Sequence, residues 1–254
     1  HLGHVGQEDR ARVAGQKVYT SLAGHFSFSV LLFDTSTNKP VAVLDGETLT
    51  RYRTAAMTAL VAKRAARPDS KKMAIIGCGV QGRAIFQALQ RLFFFESVDV
   101  VDPQTLTMWC EAQSTESCRV SQASATEAVR DADIVVTATK ASVPILKGEW
   151  LKPGAFVSAV GSSTAAAREL DDTCLSRASR VIVECPRALE EAGEFTDWRE
   201  GRDLSKVADL KTLFSASKAW RETGREIIVL KSVGAGLSDI ATGCLTYERS
   251  LLRK

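Results

Sequence analysis

Lys71-Lys72-Met73-Ala74-Ile75-Ile76-Gly77-Cys78-Gly79-Val80-Gln81-Gly82 is the stretch that decides the fold. Met73 to Ile76 is apolar, too short for a helix and β-branched at its end, so it reads as a buried strand of a parallel sheet. Gly77, Gly79 and Gly82 follow in G-x-G-x-x-G spacing, with Val80 and Gln81 between the last two, and Arg83 to Leu92 continues with helical periodicity. Each glycine has a physical reason. Gly77 permits the tight strand-to-helix turn, Gly79 leaves room for a diphosphate to reach the backbone, and Gly82 lets helix and strand pack closely. The helix N-terminus then offers N–H groups and a partial positive charge to phosphate. The spacing alone is a weak signal, because glycine turns are common. Its context is stronger: the β-rich run Ser97 to Val101 ends at Asp102, about 20 residues beyond Gly82, where dinucleotide folds place a carboxylate for the adenosine ribose hydroxyls. A carboxylate there repels a 2′-phosphate, and Pro103-Gln104-Thr105 brings no arginine directly after it. NAD is therefore the expected cofactor, with NADP as the alternative.

Strands and helices alternate downstream. A helix is expected over about Gln104 to Gln113, and Ser124-Ala125-Thr126-Glu127 is a capping box for a short helix ending near Asp131. Ile134 to Val136 reads as a buried strand leading into Thr137-Ala138-Thr139. Ala155 to Val160 is a strand followed by Gly161, Arg180 to Glu184 is another, and Glu226 to Leu230 is the last. This pattern predicts an α/β fold with an open, doubly wound parallel sheet. Thr137, Ala138, Thr139, Val160 and Gly161 fall at strand C-terminal ends, where ligands bind in such sheets. Glu190 to Leu210 is polar and carries no clear pattern.

Upstream, Val13 to Tyr19, Phe26 to Phe33 and Pro40 to Leu44 form an antiparallel meander, broken at Ser21-Leu22-Ala23-Gly24 and at 34–39. A helix capped by Thr48 or Thr50 then runs to about Ala66 and stops at Pro68, with Ala56, Leu60 and Val61 as its expected core stripe. Ser238 to Leu252 is the closing helix. These outer segments, 1–68 and 232–254, are expected to form a smaller α+β substrate and dimerisation domain around a dinucleotide domain at 69–231.

The totals exclude several classes. In 254 residues the net charge is +3, and the basic residues are scattered without aromatic interleaving, which argues against nucleic acid. No stretch is apolar for long enough to span a bilayer, and no signal peptide opens the chain. The six cysteines have no metal-type spacing and read as reduced thiols of a cytoplasmic protein. All three histidines lie in the first 25 residues, so no metal site is expected.

Four segments together resemble the ornithine cyclodeaminase/mu-crystallin family. Gly15-Gln16-Lys17-Val18 is similar to its glycine-x-lysine strand. Asp45-Gly46, Thr50 and Arg53-Thr54-Ala55-Ala56 are similar to its D-G…T…R-T-A-A segment. Gly77 to Gly82 resembles its glycine turn, and Lys231-Ser232-Val233-Gly234 with Asp239 resembles its closing K-S-[VL]-G-x-x-x-x-D. The resemblance covers nearly the whole chain. It implies a dinucleotide-binding Rossmann domain inserted in a substrate and dimerisation domain, and a homodimer acting on a small amino or imino acid. It also implies that family members carry several tens of residues before the point where this chain starts, so part of the substrate domain is expected to be missing.

The resemblance further implies roles. Arg53 matches the arginine that binds the substrate carboxylate, a task suited to a planar bidentate fork. Thr54 resembles a contact to cofactor phosphate, and Lys17 a pocket lysine that holds a carboxylate or tunes an imine. Ser232, Gly234 and Asp239 are candidates to close over the nicotinamide, with Asp239 counted among the catalytic candidates and a buried helix cap as its alternative role. Ser163 stands where ornithine cyclodeaminases carry their catalytic aspartate and where mu-crystallin-like ketimine reductases carry serine. Serine is a poor general base at neutral pH but can hydrogen-bond an imine or a water. The expected activity is hydride transfer to a cyclic ketimine such as Δ1-pyrroline-2-carboxylate. Ornithine cyclodeamination and alanine dehydrogenation are the alternatives, and a non-catalytic NAD(P)-dependent small-ligand binder is the alternative of another class.

Overall fold

The computed structural model of the chain describes residues 2–4, 13–22, 25–196, 204–217 and 220–252. The expected turn at Ala23-Gly24 and part of the patternless stretch, 197–203, lie outside the described residues. The chain divides into two compact units, one formed by His1–Thr54 with Gly234–Lys254 and the other by Ala55–Val233.

In the first unit, strands β1 (Leu2–His4), β2 (Val13–Leu22), β3 (His25–Asp34) and β4 (Pro40–Asp45) form an antiparallel sheet in that order. The meander is the expected one with β1 added at its edge. Alternation along β3 buries Val30 and Leu32, and these pack with Val13, Leu49 and the Ile240 and Cys244 side chains of the closing helix α9 (Gly236–Leu251). The approach at Gly15 leaves no room for a side chain: an added Cβ would lie 2.6 Å from Ile240 Cδ1 and 2.7 Å from the Leu31 carbonyl. Helix α1 (Gly46–Ala65) begins earlier than expected. Asp45, not Thr48 or Thr50, serves its first turn, since Asp45 Oδ1 accepts from the Glu47 amide at 2.9 Å. Thr50 instead donates its hydroxyl to the Gly46 carbonyl.

In the second unit, a parallel sheet runs in the order β11-β10-β12-β9-β8-β5-β6-β7 among the described residues. Its strands are β5 (Lys72–Ile76), β6 (Ser97–Val101), β7 (Arg119–Gln122), β8 (Ile134–Thr137), β9 (Phe156–Ala159), β10 (Arg180–Val183), β11 (Val207–Asp209) and β12 (Ile228–Lys231). The helices are α2 (Val80–Leu89), α3 (Thr107–Gln113), α4 (Ala125–Val129), α5 (Asp172–Arg177), α6 (Ala188–Glu191), α7 (Gly193–Thr196) and α8 (Leu210–Ser215). Strand alternation splits the core into two layers. Met73, Ile75, Val98, Val100, Ile134 and Val136 pack with α2 on one face, while Ala74, Ile76, Val135, Val157 and Val181 pack with α4 and α5 on the other. The fold is the doubly wound α/β architecture that the alternation predicts. Strand order reverses on either side of β5, so the crevice beyond the carboxyl ends of β5 and β8 is the topological switch point.

Some expectations are corrected. Ala56 and Leu60 are exposed rather than core, Leu60 at 55%. Beyond Thr54 the buried side of α1 is Ala55, Met57, Thr58, Ala59, Val61, Ala62 and Ala65, and the apolar members of that set join the core of the parallel sheet. The first compact unit ends at Thr54, inside the helix, so the two halves of α1 fall in different units. Helix α3 starts at Thr107, later than Gln104, because Asp102 Oδ1 holds the Gln104 amide at 3.0 Å in a turn. Strands β7 and β11 and helices α5 and α8 are too short to leave a periodic signature. No helix among the described residues is long and apolar enough to cross a membrane.

Candidate functional site

The glycine turn has the geometry its spacing predicts. Gly77 has φ +90°, and an added Cβ there would lie 2.6 Å from the Ala138 carbonyl oxygen. A Cβ on Gly82 would lie 2.1 Å from the Gly77 carbonyl oxygen, so α2 and the turn touch backbone to backbone. A Cβ on Gly79 meets nothing within 4 Å. Helix α2 starts at Val80 with no side-chain hydrogen bond at its cap, Gly79. An open position over an uncapped helix start is what a diphosphate requires.

Asp102, at the end of β6, turns toward the same turn: its Oδ2 accepts from the Cys78 amide at 2.8 Å. This carboxylate thus fixes the glycine turn as well as the start of its own loop. Arg83 donates through Nε to the Cys78 carbonyl at 2.9 Å, and its guanidinium lies 5.3 Å from the Trp109 ring centre. Burial pushes the Cys78 thiol up to about 11. Among the described residues, Gln81 Oε1 and Thr137 Oγ1 are buried and accept or donate no hydrogen bond. Both belong to segments at the switch point, and such unpaired buried atoms call for a ligand or water. The residues present therefore fit a dinucleotide.

The loops after β8 and β9 lie against one another. A Cβ on Gly161 would fall 2.3 Å from the Thr139 nitrogen. Glu169, fully buried, ties them: its Oε1 accepts from the Thr139 amide at 2.7 Å and the Thr139 hydroxyl at 2.8 Å, and its Oε2 from the Gly161 amide at 2.7 Å. Ser163 lies in the exposed arch between Ser162 and Glu169. Lys231, the last residue of β12, is fully buried. It donates to the Ser162 carbonyl at 2.8 Å and hydroxyl at 3.0 Å and pairs with Glu194 at 3.2 Å. Ser232, next along, donates to Glu184 Oε2 at 2.6 Å.

The first unit contributes a separate cluster. Arg53 Nε lies 3.1 Å and Lys17 Nζ 3.3 Å from the same atom, Asp239 Oδ1. Lys17 also donates to Thr50 Oγ1 at 2.6 Å and lies 4.5 Å from the Phe28 ring centre. Arg53 and Asp239 are 8% and 3% exposed, so the pair is desolvated and held by geometry. Gly234 has φ +89°, a backbone conformation that strains any other residue, and a Cβ there would lie 3.1 Å from Arg53 Nη2 and crowd that guanidinium. Thr54 is buried on the helix next to Arg53.

The structure thus brings Lys17, Arg53, Gly234 and Asp239 together in one unit. It gathers Gly77, Gly79, Val80, Gln81, Gly82, Asp102, Thr137, Ala138, Thr139, Val160, Gly161 and Ser232 at or just beyond the strand carboxyl ends of the other. In the sequence reading, Lys231 enters only as a member of a motif and Thr50 only as a motif member and possible cap, while Glu169 and Glu194 are not singled out. A lysine closing the apolar run Ile227 to Leu230 is the one signal that marks a buried, partnered charge.

Comparison with known proteins gives a concordant result. The sequence profile described as "Ornithine cyclodeaminase/mu-crystallin family" matches residues 14–254. Ketimine reductase mu-crystallin of Rattus norvegicus is 35% identical over 221 residues, covering 87% of this chain and 68% of that protein. The crystal structure of a probable ornithine cyclodeaminase from Bordetella pertussis Tohama I superposes with a TM-score of 0.89 at 39% identity, covering 95% of this chain and 79% of the other. The structure of Thermococcus litoralis Δ(1)-pyrroline-2-carboxylate reductase, in complex with NADH and L-proline, superposes with a TM-score of 0.87 at 31% identity, covering 96% and 80%.

Proposed function

The chain belongs to the ornithine cyclodeaminase/mu-crystallin family, and we propose that it is an NAD(P)-dependent oxidoreductase that reduces a cyclic ketimine carboxylate such as Δ1-pyrroline-2-carboxylate. The observation that carries this reading is the convergence of Arg53 and Lys17 on Asp239 Oδ1. Two cationic side chains, one with a planar fork, are set by a shared carboxylate and made ready for a substrate carboxylate.

The glycine turn and the start of α2 hold the diphosphate, and Asp102 holds the adenosine ribose. The carboxylate of Asp102 favours NAD over NADP, because a 2′-phosphate would meet a like charge. The loops at 137–139 and 160–161, with Ser232, take the nicotinamide half. When bound, the cofactor supplies a hydride to the imine carbon. The protein's part is to bind the substrate carboxylate through Arg53 and Lys17 and to orient it through Asp239. The imine nitrogen takes its proton from solvent, so the product amine balances one hydride and one proton. Ornithine cyclodeamination needs a base to draw a proton from an amine. The serine at 163 supplies none at neutral pH, which favours imine reduction within the family.

Purified protein should oxidise NADH when given pyrroline-2-carboxylate, followed by the absorbance of the reduced nicotinamide. Ammonia release from ornithine without imine reduction would overturn the preference for ketimines. NADH binding with no turnover of any amino or imino acid would overturn catalysis in favour of a binding protein.

A further inference from the structure

A fully buried polar network lies beneath the loops at the carboxyl edge of the parallel sheet. Glu169 uses both carboxylate oxygens on three donors, from Thr139 and Gly161. Its own amide donates to Glu194 Oε1 at 2.8 Å. Glu194 Oε2 pairs with Lys231 Nζ at 3.2 Å, and Lys231 donates to Ser162. Glu169, Glu194 and Lys231 are all 0% exposed. Burying three ionisable side chains is costly unless each is fully hydrogen-bonded. A core that needed only packing would be served as well by apolar residues of similar volume. What this network does is specific: it fixes the backbone at Thr139, Gly161 and Ser162, just past the last ladder bonds of two neighbouring strands, which Ala138 and Val160 donate to the Ile76 and Thr137 carbonyls.

We infer that Glu169 is a positioning residue for the nicotinamide half of the cofactor. It clamps the loops after β8 and β9 into one surface, and the Lys231–Glu194 pair anchors it from behind. The inference rests on the reading that these loops take the nicotinamide. Glu169 makes none of its described hydrogen bonds to the glycine turn or to Asp102. Thr139 does border that turn, since an added Cβ on Gly77 would lie 2.7 Å from its Cγ2, so the effect of Glu169 falls mainly, not wholly, on the nicotinamide half of the cofactor.

This inequality between the two halves is the test. NADH and ADP-ribose share the adenosine and both phosphates, and ADP-ribose lacks the nicotinamide. Their dissociation constants are measured on wild-type chain and on Glu169→Gln, which keeps the shape but sets an NH2 donor against the amide of one of the two loops, Thr139 or Gly161, while its oxygen still accepts from the other. The expected result is a loss of NADH affinity of about tenfold or more, with a clearly smaller loss of ADP-ribose affinity, since an unmet buried donor acts mostly locally. Equal losses for both ligands, or no loss for either, would overturn the inference and leave the dinucleotide reading standing. A wild-type chain that binds neither ligand would overturn both. If Glu169→Gln does not fold, Thr139→Val removes one of the three donors and is read in the same two assays by the same criteria. Glu169→Asp, which keeps the charge but shortens the reach, should recover part of the NADH affinity.

Discussion

Arg53 Nε and Lys17 Nζ meet on one atom, Asp239 Oδ1, at 3.1 and 3.3 Å. An arginine fork grips a carboxylate in a plane, and a lysine cannot reproduce that geometry. Arg53→Lys should therefore raise the KM for a ketimine carboxylate by about ten- to a hundredfold while moving kcat less, as loss of an interaction equal in ground and transition states does. Steady-state kinetics with NADH saturating separates the two constants. An unchanged KM would remove Arg53 from the substrate site.

Asp102 sets the cofactor preference and also steadies the glycine turn through Cys78. In Asp102→Asn the amide oxygen can still take the Cys78 N–H, while the charge facing a 2′-phosphate is gone. The ratio of NADPH to NADH affinity should rise by about tenfold or more, since like-charge contacts cost several kcal/mol. Fluorescence titration of the two reduced cofactors reads the ratio, and a ratio that does not move would assign the preference elsewhere.

The two glycines of the turn should separate fold from binding. Gly82→Ala forces a Cβ to within 2.1 Å of the Gly77 carbonyl oxygen. It should cost about 1–3 kcal/mol of stability or more, as overpacking does. Gly79→Ala has open space and an ordinary negative φ. It should leave thermal unfolding almost unchanged and weaken NADH, because the new methyl occupies the room kept for phosphate. A Gly79→Ala variant that loses stability as Gly82→Ala does would contradict this division.

How much of this was legible in the sequence follows the range of the interactions. The strand, glycine turn and helix at 72–89 are local. Their signals are a short apolar run, fixed glycine spacing and a helical period, and the structure matches them. The capping box at Ser124 and Glu127 is equally local, and both its bonds are present. The site cluster is different. Lys17 and Asp239 are 222 positions apart, and nothing in either neighbourhood shows that they share a hydrogen bond. Family resemblance named both residues but not their contact. Glu169 and Lys231 were missed as site-forming groups because a buried polar residue is recognised by what surrounds it. The mistaken stripe on α1 has a related cause: a helix whose two halves serve different units need not keep one apolar face.

Asp133 gives a prediction in pH. It precedes β8, and its Oδ2 accepts from the Lys71 and Lys72 amides at 2.7 and 2.9 Å while Oδ1 pairs with Lys152 at 2.6 Å. Burial pushes its carboxyl up, but the Lys152 hydrogen bond and the two amides together outweigh burial and hold it below the ordinary carboxylate value. A depressed carboxyl adds stability that is present above its unfolded pKa and is lost as pH falls through the folded value. Asp133→Asn should therefore be less stable than wild type by about 1–3 kcal/mol at neutral pH. The gap should narrow on acidification from the ordinary aspartate range downward. Denaturant midpoints at neutral and acid pH check it, and a gap independent of pH would show that the charge contributes nothing.

The last prediction concerns the antiparallel sheet of the first unit. One face packs Val30 and Leu32 against α9. On the opposite face, register sets Gln16 and Val43 beside Leu31, and Val18 beside Ser29. Val18 is 39% and Val43 70% exposed. A small sheet whose outer face exposes valines among its polar residues has room for a partner. We expect that partner to be a second copy, joined through a two-fold interface in which the same strands meet from both subunits. Sedimentation at micromolar concentration should give twice the chain mass. Val43→Asp should shift the protein toward monomer or aggregate, because a two-fold interface sets the substituted strands of both subunits in the same contact and buries the new charge twice. A wild-type chain that sediments as a clean monomer would sink this assembly.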